Sequence, residues 1–177
     1  MTTIAEQRRM KIAAKCAQLS AGALLALWLA APTSANAATE QTTFTVSATV
    51  VAACAVSASN LSFGNYNPTL GAPNDNQTSL LVTCTNGSSY NVGLDAGAGS
   101  GATAASRKMM QSSNALLYTL YRDSNRTLVW GDSVGSNTLA SSGTGAQQTI
   151  NIYGRIAAAQ TAPAGSYSDT ITVTVTF

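Results

Sequence analysis

Beyond residue 38, this 177-residue chain holds almost no stretch in which apolar residues recur at helical spacing. Alternation takes its place. The closing stretch SYSDTITVTVTF sets Ile171, Val173, Val175 and Phe177 against Thr170, Thr172, Thr174 and Thr176. Successive side chains of a strand point to opposite faces, so one face suits a core and the other, all threonine, suits water.

Shorter runs of the same kind follow one another along the chain. NLSFGNY (60–66), TSLLVTC (78–84), YNVGL (90–94), ALLYTLYR (115–122), TLVWG (127–131) and QTINIYGRI (148–156) each read as a strand. DSNR joins the fourth and fifth of these as a tight hairpin, whereas the glycine content of DAGAGSGATAASRK marks a loop. Near the start, TEQTTFTVSATVVAAC (39–54) alternates Phe44, Val46, Ala48 and Val50 with Thr43, Thr45, Ser47 and Thr49. Seven or eight short strands without helical interludes predict an all-β, immunoglobulin-like β-sandwich, with a small closed barrel as the alternative.

The first 37 residues read as a signal peptide. Arg8, Arg9, Lys11 and Lys15 form a positive region, LSAGALLALWLAA a short apolar one, and ANA a small-residue site for cleavage between Ala37 and Ala38. The apolar run of about 13 residues falls short of the roughly 20 that span a bilayer. Four basic residues and Glu6 leave with this segment, so a chain at +2 becomes one near −1, with no basic footprint for a nucleic acid. Two cysteines stay behind, Cys54 and Cys84. In an oxidising compartment they read as a disulfide, worth about 3.5 kcal/mol in the chain-entropy model. Two free thiols or a metal pair are the alternatives.

Catalytic patterns are scarce. The chain contains no histidine, which excludes Ser-His-Asp and Cys-His arrangements and the common zinc sites. Glu40, Asp75, Asp95, Asp123, Asp132 and Asp169 are scattered and mostly in turn contexts. The glycines of GAGSGA (97–102) lack the following lysine and Ser/Thr of a phosphate loop. Arg107 and Lys108, beside Met109 and Met110, read as a loop re-entering the fold, with a small contact patch as the alternative. Trp130 and Tyr153 read as core or sheet-surface residues, and the N-x-S/T matches at Asn60, Asn76, Asn86 and Asn125 are within chance for this composition. The chain is expected to be no enzyme, with no cofactor, metal, nucleic acid or small-molecule substrate.

A cysteine followed by AVSASNLSFGNYNP, then LLVTC, YNVGLDAG, LLYTLYRD, VWGD, QTINIYGRIAAAQ and a terminal GSYSDTITVTVTF together resemble the spore coat protein U family, shared with Csu-type pilins of archaic chaperone–usher fimbriae. The likeness runs from about residue 44 to the last residue. It implies a sandwich that lacks its final strand and is completed by donor-strand exchange. A periplasmic chaperone fills the groove first. The N-terminal extension of a neighbouring subunit then replaces it, as subunits polymerise through an outer-membrane usher into a surface fibre for attachment or biofilm.

The implied layout is a signal peptide at 1–37, a donor extension at 38–51 and the pilin-type domain at 52–177. Phe44, Val46, Ala48 and Val50 become the donor strand, and Ile171, Val173, Val175 and Phe177 the groove-edge strand that the chaperone pairs with. Without the resemblance, the strand at 44–50 pairs inside its own domain. A coat or matrix protein of the cell or spore surface, and a tip-type adhesin or glycan-binding module, are the other functions compatible with the sequence.

Overall fold

The computed structural model describes residues 37–177. The basic and apolar signal-like features lie outside the described residues; Ala37 and Ala38 are exposed and without secondary structure. Ser47–Phe177 is one compact unit. It contains eight strands: β1 (Cys54–Ala58), β2 (Asn74–Cys84), β3 (Ser89–Leu94), β4 (Arg107–Gln111), β5 (Asn114–Tyr121), β6 (Leu139–Ser142), β7 (Gln147–Ile156) and β8 (Val173–Thr176). They form a five-stranded sheet in the order β1-β2-β7-β5-β4 and a three-stranded sheet in the order β6-β3-β8, every pair antiparallel. This is the all-β, immunoglobulin-like sandwich that the alternation predicts.

The core comes from period-two faces. Leu80, Val82 and Cys84 of β2, Leu116, Tyr118 and Leu120 of β5, and Ile152 and Ile156 of β7 point from the large sheet into the core. Tyr90, Val92 and Leu94 of β3 meet them from the small sheet. Trp130 is fully buried between them, its indole N–H donating to Val92 O at 2.8 Å, so the largest apolar side chain of the core leaves no polar atom unpaired. On the outer face of the large sheet, Asp75 accepts two 2.7 Å hydrogen bonds from Arg155 and lies 3.4 Å from Arg126.

Several expectations are corrected. NLSFGNY is no strand. Leu61 and Phe63 tuck inward, where Gly154 makes room: a Cβ there would come within 2.7 Å of both side chains. The backbone carbonyls of this segment are instead held by side chains of β2. Asn74 donates to Phe63 O and Asn65 O, Asn76 to Ser62 O and Thr78 to Ser59 O.

TLVWG makes only a single bridge, Val129 to Tyr121, rather than a full return strand, because the loop folds around the Asp123 carboxylate, which accepts from the N–H groups of Thr127 and Leu128. RKMM, read as loop, is β4. β1 and β6 are short and built mostly of small residues, with no alternation long enough to mark them. Residues 44–50, read as a strand, have no secondary structure.

Candidate functional site

The two margins of the sandwich end differently. At one, the chain crosses between sheets: Met110 of β4 exchanges hydrogen bonds of 2.8 and 3.2 Å with Ser168, and the same segment continues into β8 of the small sheet. At the other margin, β1 and β8 lie alongside each other without pairing. Between segment 58–63 and segment 167–173 opens a groove of about 510 Å³. Its lining includes Leu61, Phe63, Met109, Ile152, Ile171 and Val173.

Both rims of this groove present free backbone. The Leu94 N–H turns away from β8 to Gly131 O (3.0 Å), while the Asp95 N–H donates to Thr172 O (3.1 Å). Antiparallel pairs alternate between exchanging hydrogen bonds and not doing so. The bonded positions of β8 are therefore Thr174 and Thr176, and Val173 and Val175 turn their N–H and C=O groups to the open edge. The same reasoning holds for β1. Ser59 N–H donates to Ser79 O and Thr85 N–H to Ala53 O, so the backbone groups of Cys54, Val56 and Ala58 face outward from the ladder. Two free edges flank a groove of mixed apolar and polar lining, and free edges of this kind take an extended chain by backbone pairing with alternate side chains turned inward.

Exposure tells the same story. Val56 and Val82 stand opposite each other on the core face, yet Val82 is 0% exposed and Val56 is 40% exposed. The core face of β1 is covered only in part: Cys54 packs against the core, while Val56 and Ala58 are exposed. Ile171, Val173 and Val175 pack against the core but stay half-buried, and Phe177, expected to face inward with them, is 59% exposed. Of the residues proposed as a donor strand, Phe44, Val46 and Val50 are 87%, 82% and 84% exposed, and Ala48 is exposed too. Cys54 and Cys84, opposed in register with Cα atoms 4.1 Å apart, form the expected disulfide and fasten β1 to the core just after this segment.

Polar chemistry collects around Tyr118 and Asp169, which line the groove, in residues that carry no signal of it in the sequence. Arg107 is fully buried and is no surface contact patch. Its guanidinium donates to four carbonyls: Asp95 (2.9 Å), Ala104 (2.8 Å), Leu94 (3.0 Å) and Trp130 (2.7 Å). Burial pushes its pKa down. The Tyr118 hydroxyl donates to Asp169 (2.7 Å), and burial followed by that hydrogen bond pushes the phenol well above its ordinary value. Asp169 also accepts the Ala98 N–H, and Asp95 accepts the N–H groups of Gly97 and Thr172. These contacts tie the glycine-rich loop 97–106 to the start of β8. The signals in the sequence are YNVGLDAG and SYSDT, whose aspartates look like ordinary turn residues.

No cluster of three or more metal-ligating side chains occurs among the described residues. The Spore Coat Protein U domain matches residues 40–174, nearly all of the described chain. The chain belongs to the Spore Coat Protein U domain family. A relative within reach of this family assignment is Protein U of Myxococcus xanthus, 34% identical over 158 residues, covering 81% of this chain and 88% of that protein. Among solved structures, the chain is similar to a chain in the chaperone–tip adhesion subunit pre-assembly complex CsuC–CsuE, from archaic chaperone-usher Csu pili of Acinetobacter baumannii. There the TM-score is 0.55 and the identity 26%, over 73% of this chain and 40% of that one. The chain thus spans well under half the length of its structural counterpart. Membership of the Spore Coat Protein U domain family agrees with the order of motifs read from the sequence.

Proposed function

We propose that this chain is a structural subunit of a surface fibre, exported through the periplasm and polymerised by donor-strand exchange. The observation that carries the reading is a mismatch within one molecule. The sandwich has a partly apolar groove flanked by two unpaired strand edges, and the same chain carries an alternating apolar segment at Phe44–Val50 that stays exposed among the described residues. Inserting Phe44, Val46 and Val50 would contribute about 5–9 kcal/mol, part of it offset by ordering the extension. A head-to-tail contact of this kind does not close on itself, so it builds a filament.

In this reading residues 38–51 are the donor extension and 52–177 the acceptor domain. A periplasmic chaperone holds Ile171, Val173, Val175 and Phe177 until an outer-membrane usher brings the next subunit. The similarity to a chain of a chaperone–subunit complex from chaperone-usher pili supports these partners. The family description supports a second reading, a coat or matrix protein assembled on a cell or spore surface.

An unboiled denaturing gel separates them. Subunits locked by donor strands run as a ladder, and deletion of residues 38–50 abolishes the ladder while leaving chaperone binding intact. Normal fibre assembly by that truncation would overturn the proposal.

A further inference from the structure

A chain carrying both a groove and a segment that fits it can plug itself, and a self-plugged subunit is dead for polymerisation. We infer that Thr85 is a positioning residue that holds the extension out of its own groove, so that the occupant is the segment of a second copy or neighbouring subunit. The inference rests on the donor-strand reading above.

The topology defines what self-insertion requires. β2 ends at Cys84 and β3 leaves from Ser89 in the opposite direction, so β1 and β8, each antiparallel to one of them, run in opposite senses. The extension enters β1 at Cys54. To lie in its own groove it must reverse within Val51–Ala53, forming a hairpin antiparallel to β1 and parallel to β8.

Two features oppose that reversal. The first is turn chemistry: Val51-Ala52-Ala53 offers no Gly, Asn or Asp for the positive-φ positions of tight hairpins, and a β-branched residue is poorly suited to them. The second is Thr85. Its backbone carbonyl accepts from Ser88 N–H in the turn that leads to β3, at 3.1 Å, and Gly143 packs against the same oxygen. That carbonyl is thereby lost to the β1 ladder. The Thr85 side chain takes its place: Oγ1 accepts the Ala53 N–H at 3.0 Å and lies 3.3 Å from both Val51 O and Ala53 O, while Thr85 N–H donates to Ala53 O at 2.9 Å. Val51 and Ala53 are thus held to Thr85, which opposes the reversal and leaves the groove to a strand that arrives from outside. An incoming strand is free to run antiparallel to β8, the slightly more stable pairing.

The test compares refolding of the exported chain as wild type, T85V, T85S and the hairpin-forming V51N/A52G/T85V. Monomer and ladder are read by size exclusion and by unboiled gel at equal protein concentration. Wild type and T85S give ladders. T85V lowers the polymer-to-monomer ratio by about fivefold, the effect of one lost hydrogen-bonded clamp, and V51N/A52G/T85V gives chiefly monomers whose yield is independent of concentration. Ladders unchanged in both T85V and the triple variant overturn the clamp.

A synthetic peptide spanning residues 39–52, added in excess to refolding wild type, distinguishes the two ideas. If it caps grooves and shortens the ladder, the donor reading stands and the variants judge Thr85 alone. If it leaves the ladder untouched, the donor reading falls and the clamp falls with it.

Discussion

The closed margin of the sandwich, where β4 meets Ser168 and Arg107 reaches four carbonyls, differs in kind from the open margin between β1 and β8. On the closed side Met110 and Ser168 pair through their backbones and Arg107 serves four carbonyls. The open side leaves valines half-covered and ladder groups pointing outward. The two margins thus differ in what they leave to be paired: on the proposed reading, the open one is where a partner would add. A sandwich can keep an unfilled groove only if the rest of the fold is strong enough to hold both walls in place.

The sharpest way to break this comparison is at Arg107. Arg107→Ala leaves four carbonyls without their donor, those of Leu94 and Trp130 buried, and is expected to cost about 3–5 kcal/mol in denaturant unfolding. Arg107→Lys should recover little, because a single ammonium cannot reproduce the fork that reaches Leu94, Asp95, Ala104 and Trp130. A loss below about 1 kcal/mol for Arg107→Ala would place the stability of the domain elsewhere.

Next comes the fastening between core and open rim. Replacing both Cys54 and Cys84 by serine is expected to remove about 3.5 kcal/mol, read as a lower midpoint in denaturant, and to loosen β1 before the rest of the sheet in hydrogen exchange. Uniform exchange across β1, β2 and β7 would contradict a selective role at the rim.

A more direct contrast uses two residues that face each other. Val82→Ala is expected to cost about 2 kcal/mol and Val56→Ala under about 1 kcal/mol in the isolated domain, since only the first leaves a closed cavity. Filling the groove with the 39–52 peptide should bring the two costs closer together. Equal costs in the empty domain would mean that β1 is covered in solution.

The smallest effect expected is that of acid. Burial raises the Asp95 pKa, but hydrogen bonds from Thr172 and the Gly97 N–H outweigh it and hold the carboxyl below its ordinary range. Arg155 likewise holds Asp75 down. A carboxyl lowered in the folded state stabilises above its unfolded pKa, near 4, and loses that contribution as pH falls through the folded value. Asp75 is exposed and Asp95 half-buried, so solvent screening keeps each to no more than about 1 kcal/mol. Asp95→Asn should flatten the acid limb of a melting-temperature profile measured between about pH 5 and 2. An unchanged limb would show that the tie between loop 97–106 and β8 is electrostatically inert.

The strands β2, β3, β5, β7 and β8 were legible because each alternates apolar with polar residues over a stretch long enough to count. Strand β4 was not, because its inward residue at the closed margin is Arg107, a charge that no hydrophobic pattern marks as buried. Segment 60–66 was misread for the opposite reason: Leu61 and Phe63 alternate and do point inward, but the hydrogen-bond partners of the segment are the side chains of Asn74, Asn76 and Thr78 rather than a neighbouring strand. Alternation reports which way side chains face. It does not report what the backbone pairs with.

The sequence by itself determined the all-β class, the disulfide pairing of Cys54 with Cys84, the apolar alternation at Phe44–Val50 and the family likeness, because each depends on local spacing or residue type. Only the tertiary structure decided which edges stay unpaired, that Arg107 is buried, and that Thr85 takes over a ladder position its own carbonyl has given up. Those outcomes turn largely on hydrogen bonds between distant residues, Arg107 with Asp95, Leu94 and Trp130 at 12, 13 and 23 positions and Thr85 with Ala53 at 32, and such separations leave no trace in local pattern.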